Sequence, residues 1–325
     1  MSVTNLIKNY ILSEGTMDLV GIAPADALKD EPEGHRPEDV LPGAKSIIVY
    51  AKRIPDGVIQ SAFRYMEDGN LDAQSVYACY GSDLMPNMGV MFMNFNISEY
   101  IERTFGYTAI PVPTAQMQNM VPMNVPLPIF MGPTQRQYII SPHRAAVAAG
   151  LGEIAWSNAF VSPEYGPRQQ LGVIVTSMPL DYDEPYSGPR LCNPRECGIC
   201  SALCPVHAIP EPGAPDSQLD IHVCGTTQSI ADFDYNACCV ASLAFRKEFS
   251  GKLDVPNLIM DDDPSDEELA RAYSEKPWSH NSLDHYPKHF CNKCMLYCPL
   301  GDWEEKFGAT ELSSFKREEL ACAAK

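Results

Sequence analysis

Over the first 180 residues, apolar positions fall into short strand-like runs separated by stretches of helical spacing; after that they thin out around cysteines. Residues 1–25 predict a helix followed by a short strand, Asp18-Leu-Val-Gly-Ile-Ala23. Pro42-Gly43 marks a turn, and the β-branched run Ser46-Ile-Ile-Val-Tyr-Ala51 predicts a buried strand. From about Ile59 to Thr104 the spacing is mostly helical, interrupted near Pro86 and closed at Gly106 as a C-cap closes a helix. Tyr107–Pro113 reads as a short strand. Between Gln116 and Met131, Pro122, Pro126 and Pro128 forbid a long helix. That Met-rich stretch (Met117, Met120, Met123, Met131) is read as irregular, serving ordinary packing or lining a large apolar pocket. Residues 141–153 predict a small-residue helix begun by Ser141-Pro142, with a profile low enough for a bulky partner to approach. The loop Ser162–Arg168 and a strong strand, Leu171–Ser177, follow. Strands alternating with helices give an α/β or α+β core over residues 1–180. Asp181–Arg190, rich in Pro, Tyr and Gly, links it to residues 181–325, where an acidic insertion occupies 250–290.

Cysteine spacing changes the picture from a fold to a chemistry. Seven of the twelve cysteines lie in two runs that each end in Cys-Pro: Cys192-x4-Cys197-x2-Cys200-x3-Cys204-Pro205 and Cys291-x2-Cys294-x3-Cys298-Pro299. A cubane iron–sulfur cluster needs four thiolates, and in two-cluster ferredoxins the last cysteine of each run serves the other run's cluster. On that rule one [4Fe–4S] cluster takes Cys192, Cys197, Cys200 and Cys298. The other takes Cys204, Cys291, Cys294 and either Cys238 or Cys239, a pair in a helical stretch between the runs. The x4 gap departs from the bacterial x2 spacing, so Cys224 stands as a reserve for Cys192. Zinc would use the C-x2-C pairs but leaves the x3-Cys-Pro endings unexplained. Disulfides suit small secreted chains, whereas this one has 325 residues.

Asp and Glu outnumber Lys and Arg by 42 to 24, a formal charge of −18, which argues against a nucleic-acid partner. The densest run, Asp261-Asp262-Asp263 with Asp266-Glu267-Glu268, reads as a solvated loop entering a helix N-terminus. With no secretory or twin-arginine start and no apolar stretch of about 18 residues, a cytoplasmic protein without a membrane span is expected.

An ordered set of segments then carries a resemblance. It comprises Asp18-Leu-Val-Gly-Ile-Ala, Leu41-Pro-Gly-Ala-Lys-Ser-Ile-Ile-Val, Phe105-Gly-Tyr-Thr-Ala, Ala149-Gly-Leu-Gly-Glu153, Ser162-Pro-Glu-Tyr-Gly-Pro-Arg168, Thr176-Ser-Met-Pro-Leu180 and both Cys-Pro modules. Together they resemble the corrinoid iron–sulfur family of reductive dehalogenases and epoxyqueuosine reductases. Gly-Leu-Gly-Glu with Pro-Glu-Tyr-Gly-Pro-Arg leans toward the dehalogenase branch.

The resemblance implies a nitroreductase-like α/β (α+β) core over 1–180 that binds a cobamide, and a C-terminal two-cluster ferredoxin-like module over 181–325. It implies cobamide contacts at Gly150, Leu151, Gly152, Asn158, Tyr165, Gly166 and Arg168, and Cys239 as the lone helical cluster ligand. It also implies a proton donor upstream of the Gly-Leu-Gly helix, for which Tyr138 is the candidate. Arg136 would stabilise its phenolate or bind a carboxylate or halide. The expected partners are a small organic substrate, halogenated compounds among them, and an external electron donor such as ferredoxin or flavodoxin. The rival readings are a non-catalytic electron carrier, a corrinoid-handling protein, and an epoxyqueuosine reductase-like enzyme.

Overall fold

The computed structural model describes residues 2–14, 16–83, 89–112, 140–250, 256–275 and 291–307. The chain opens with α1 (Val3–Asn9), whose N-cap Ser2 accepts a hydrogen bond from the Asn5 amide, and then β1 (Leu19–Pro24). A short α2 (Pro37–Val40) leads to β2 (Ser46–Arg53). The helical stretch that follows resolves into α3 (Asp56–Asp68), α4 (Leu71–Tyr77) and α5 (Val90–Phe105), the last closed by Gly106 at φ 75°. Next come β3 (Ala109–Val112), α6 (Pro142–Ala148), the small pair β4 (Glu153–Ile154) and β5 (Phe160–Val161), and β6 (Gln169–Thr176).

The four main strands pair antiparallel throughout in the order β1-β2-β6-β3. Ile48 lies opposite Ile174 and Val49 opposite Val173, so the two β-branched runs fix each other's register. Because alternate side chains leave opposite faces of a strand, one sheet face buries Ile47, Val49, Val173 and Val175 under the alanines of α6. The other face buries Ile48, Tyr50 and Ile174 against α1 and α5. Helices therefore cover both faces of an antiparallel sheet. The α6 helix is shorter than its sequence suggests: Gly150 turns at φ 77° and ends the helical spiral.

The cysteine-bearing part contains α7 (Pro194–Cys197), α8 (Ile199–Ala202), a hairpin of β7 (Gln218–Val223) and β8 (Thr226–Ala231), then α9 (Tyr235–Ser242). After these come α10 (Asp266–Glu275), α11 (Lys293–Leu296) and α12 (Trp303–Lys306). The acidic run does enter a helix start. The Ser265 hydroxyl accepts from the Glu268 amide while the Glu268 carboxylate accepts from the Ser265 amide. Packing does not stop at residue 180. Val223 and Ile230 of the hairpin share the core beneath α6, and Gln228 Oε1 accepts from the Ile154 amide at 2.6 Å. In the linker, the Asp183 carboxylate takes Lys8 Nζ at 2.5 Å and the Ile22 amide at 2.8 Å. Among the described residues, no helix is long and apolar enough to cross a membrane.

Candidate functional site

Cys192, Cys197, Cys200 and Cys298 line one cavity of about 230 Å³, with Trp156 and Leu300 in its wall. The wide x4 step is absorbed by α7, a single turn capped by Asn193 and by Gly198, where φ is 63°. Cys200 follows at once on α8. The Trp156 amide donates to Cys192 Sγ at 3.4 Å. Burial pushes the Cys200 thiol up to about 12. It does the same to Cys298, where the Leu300 amide and the Arg168 guanidinium pull the other way. These thiols are therefore protonated at neutral pH when metal-free, and binding a metal must release their protons. Cys224, the reserve ligand, sits instead at the two-residue turn of the β7–β8 hairpin, near Asp26 and Glu184.

Cys204, Cys238, Cys239, Cys291 and Cys294 line a second cavity of about 150 Å³. The Ala208 amide donates to Cys204 Sγ at 3.2 Å. Asp234 caps α9 by accepting from the Ala237 amide at 2.9 Å, and the helix brings the Cys238-Cys239 pair to the cavity wall. Burial pushes the Cys238 thiol up, and its neighbours Cys239, Cys294, Cys291 and Cys204 push further. Cys239, 3 % exposed, also packs among Val240, Leu243 and Phe245. Cys294 lines both cavities, so the two thiol sets meet at that residue. Among the described residues no three His, Cys, Asp or Glu side chains converge on a point for a single metal ion; the thiols surround voids.

The far wall of the second cavity belongs to the sheet domain and includes His143, Ser157, Phe160, Gln169 and Leu171. Burial pulls His143 down to about 4, against a backbone hydrogen bond with Asn158, so the imidazole stays neutral around pH 7.

None of the seven residues expected to touch a cobamide itself lines this cavity. Asn158 sits at φ 66° between Ser157 and Ala159, both of which line the cavity. Leu151 packs on the core beneath α6. The Tyr165 ring carries the Arg53 guanidinium at 5.7 Å. The three glycines face the chain's own backbone. A Cβ on Gly150 would stand 2.2 Å from the Glu184 carbonyl oxygen, and one on Gly152 would stand 2.0 Å from that of Val161. Gly166 meets Leu300 in the same way at 2.4 Å, and the facing Gly301 would place a Cβ 2.2 Å from the Gly166 nitrogen. Arg168, 2 % exposed, reaches into the same junction. It donates to the carbonyls of Cys298 at 2.8 Å and Leu300 at 2.5 Å, and pairs with Asp302 at 3.4 Å. Arg53 of β2 also reaches Asp302, at 3.2 Å. The Pro-Glu-Tyr-Gly-Pro-Arg loop thus holds the second Cys-Pro loop onto the sheet domain. Nothing in the sequence pairs positions about 130 residues apart, so this role was not legible there. Tyr138 and Arg136, and the Met-rich stretch, lie outside the described residues.

Over 68 residues the chain is 38% identical to the tetrachloroethene reductive dehalogenase of Sulfurospirillum multivorans, a match covering 20% of this chain and 13% of that protein. Over 73 residues it is 36% identical to an epoxyqueuosine reductase of Gloeobacter violaceus, covering 22% of each. Each match thus spans under a quarter of the relative's length. A crystal structure of an epoxyqueuosine reductase with an epoxyqueuosine-modified tRNA-Tyr stem loop aligns with 99% of this chain and 80% of that one, at 16% identity and a TM-score of 0.48. No family model matches the chain. Identities of 38% and 36% do not separate the branches, so the lean toward dehalogenases is not upheld. Over these short stretches the chain is similar to both reductive dehalogenases and epoxyqueuosine reductases, with neither branch preferred.

Proposed function

We propose that the chain is a corrinoid-dependent reductase of the cytoplasm. It takes single electrons from a ferredoxin or flavodoxin through two [4Fe–4S] clusters, and delivers two of them with a proton to a small organic substrate, a halogenated one first. One observation carries this reading: thiols from both Cys-Pro runs gather around two adjoining cavities, and the second opens onto the sheet domain. Cys192, Cys197, Cys200 and Cys298 would hold the first cluster. Cys204, Cys291, Cys294 and, from α9, Cys239 would hold the second, with Cys238 as its neighbour. The Trp156 and Ala208 amides already point at ligand sulfurs, as a buried anionic cluster requires.

The cobamide comes from the family likeness. The described residues offer it a wall (Ser157, Ala159, Phe160, Leu171 and neutral His143) beside the second thiol set. Asn158 lies between two residues of that wall, while Leu151 packs on the core beneath α6 and Tyr165 carries the Arg53 guanidinium. Gly150, Gly152, Gly166 and Arg168 serve the protein's own packing, so they contribute by holding the scaffold. When bound, such a group supplies a strongly reducing metal centre. Tyr138 would hold the proton to be delivered, with Arg136 steadying its phenolate. The charge of −18 supports a small substrate over a tRNA.

Loaded, reduced protein offered a halogenated aromatic or alkene should release one halide per two electrons consumed. Tyr138→Phe should slow that release by about 10²-fold or more while both clusters remain. Halide release at the wild-type rate removes Tyr138 from the reaction. No halide from fully loaded protein sinks the dehalogenase reading and turns the test to an epoxyqueuosine substrate. A second reading, a non-catalytic electron carrier, is favoured by the closure of the three glycines against the chain's own backbone. It predicts clusters without retained corrinoid.

A further inference from the structure

Two buried hydrogen-bond donors near the second thiol set have no partner among the described residues: the Tyr77 hydroxyl and the Asn292 side-chain nitrogen. Tyr77 closes α4 and is 1 % exposed. Its ring packs with Phe63 of α3 and with Leu296 and Tyr297, which follow the cluster cysteines Cys291 and Cys294. Gly81 makes room for the ring, since a Cβ there would stand 2.7 Å from two of its carbons. Burial pushes the Tyr77 phenol up, and the Cys294 and Cys291 thiols push it further. Asn292 sits between those two cysteines in sequence and lines the same cavity. A buried donor left unmade costs about 1–3 kcal/mol, and a phenylalanine would fill the Tyr77 site without that cost. Asn292 lines the cavity and Tyr77 packs on the helix that carries Cys294, so the two unmet donors flank the second thiol set.

We propose that Tyr77 and Asn292 donate hydrogen bonds to sulfurs of the second cluster and thereby raise its reduction potential. The inference rests on the cluster assignment above. Hydrogen bonds to cluster sulfurs stabilise the more negative, reduced state, and a low local dielectric strengthens them. The second cluster faces the sheet-domain cavity, so a raised potential there makes transfer from the first cluster to the second more favourable. Tyr77 and Asn292 act through the cluster and are positioning residues.

The test uses the full chain loaded with iron and sulfide, titrated potentiometrically and followed by electron paramagnetic resonance. Tyr77→Phe removes the hydroxyl and keeps the ring that packs in the site. It should keep the wild-type iron content and shift one cluster to a lower potential, leaving the other unmoved. Asn292→Ala should shift that same cluster. Unmoved potentials in both variants at full iron content overturn the proposal, and a shift of different clusters by the two variants overturns the shared site. If Tyr77→Phe loads incompletely, Asn292→Ala decides alone. Wild-type protein with no [4Fe–4S] signal is a failure of the cluster assignment itself, visible before any variant is made.

Discussion

Replacing Cys298 with alanine should remove the same cluster as replacing Cys200, although the two residues belong to different Cys-Pro runs. Cys298 lines its cavity with Cys192, Cys197 and Cys200, while its run-mate Cys291 lines the other with Cys204, and Cys294 lines both. Alanine has no ligating atom, so each variant should fall from about eight irons per chain to about four. Cys291→Ala and Cys239→Ala should remove the complementary cluster, and Cys238→Ala should keep both. The pairs are separable by spectroscopy even at equal iron content, because different clusters survive. If Cys298→Ala and Cys291→Ala left the same surviving spectrum, each run would be building its own cluster, and the crossed arrangement would be wrong. Iron loss in Cys238→Ala instead of Cys239→Ala would exchange the roles of that pair.

Gly301→Ala should be the most damaging change outside the thiols. Gly301 turns at φ 70°, and its added Cβ would stand 2.2 Å from the Gly166 nitrogen and 2.5 Å from the Tyr165 carbonyl carbon. Both obstructions are backbone, so no side-chain rotation relieves them. The loops must separate, and the hydrogen bonds of Arg168 to the Cys298 and Leu300 carbonyls separate with them. A loss of about 3 kcal/mol or more is expected, combining the clash with a strained φ and broken buried hydrogen bonds. Gly213→Ala is the control: its φ is 92°, but no atom lies within 4 Å of the added Cβ, leaving only the backbone strain of about 1–2 kcal/mol. Thermal unfolding of the two variants separates strain from clash. Equal losses would mean that the Gly166–Gly301 contact does not hold the cluster loop to the sheet domain.

What the sequence disclosed depended on whether its signals were local. The β-branched runs at 46–51 and 171–177 announced the two central strands because burial on both faces demands continuous apolar character. Gly106 and Ser141-Pro142 marked helix ends by local backbone chemistry. The cysteines that line the two cavities stand out in the sequence through the spacing of their Cys-Pro runs. The β7–β8 hairpin went unread, although Cys224-Gly225 between two alternating runs is a two-residue turn signal, with φ of 49° and 76°. Arg168 and the glycines are ambiguous in the sequence for a different reason. Their types fit cofactor contact as well as close backbone packing, and only the fold shows that Leu300, Glu184 and Val161 occupy the facing space.

Anaerobic reconstitution of the full chain with iron, sulfide and a cobamide tests the central claim most directly, with both metals quantified and electron paramagnetic resonance recorded on the same sample. The account predicts about eight irons in two cubane clusters and one retained corrinoid cobalt per chain. The same iron content with no cobalt retained after desalting would contradict it, and would leave a two-cluster electron carrier in place of a reductase.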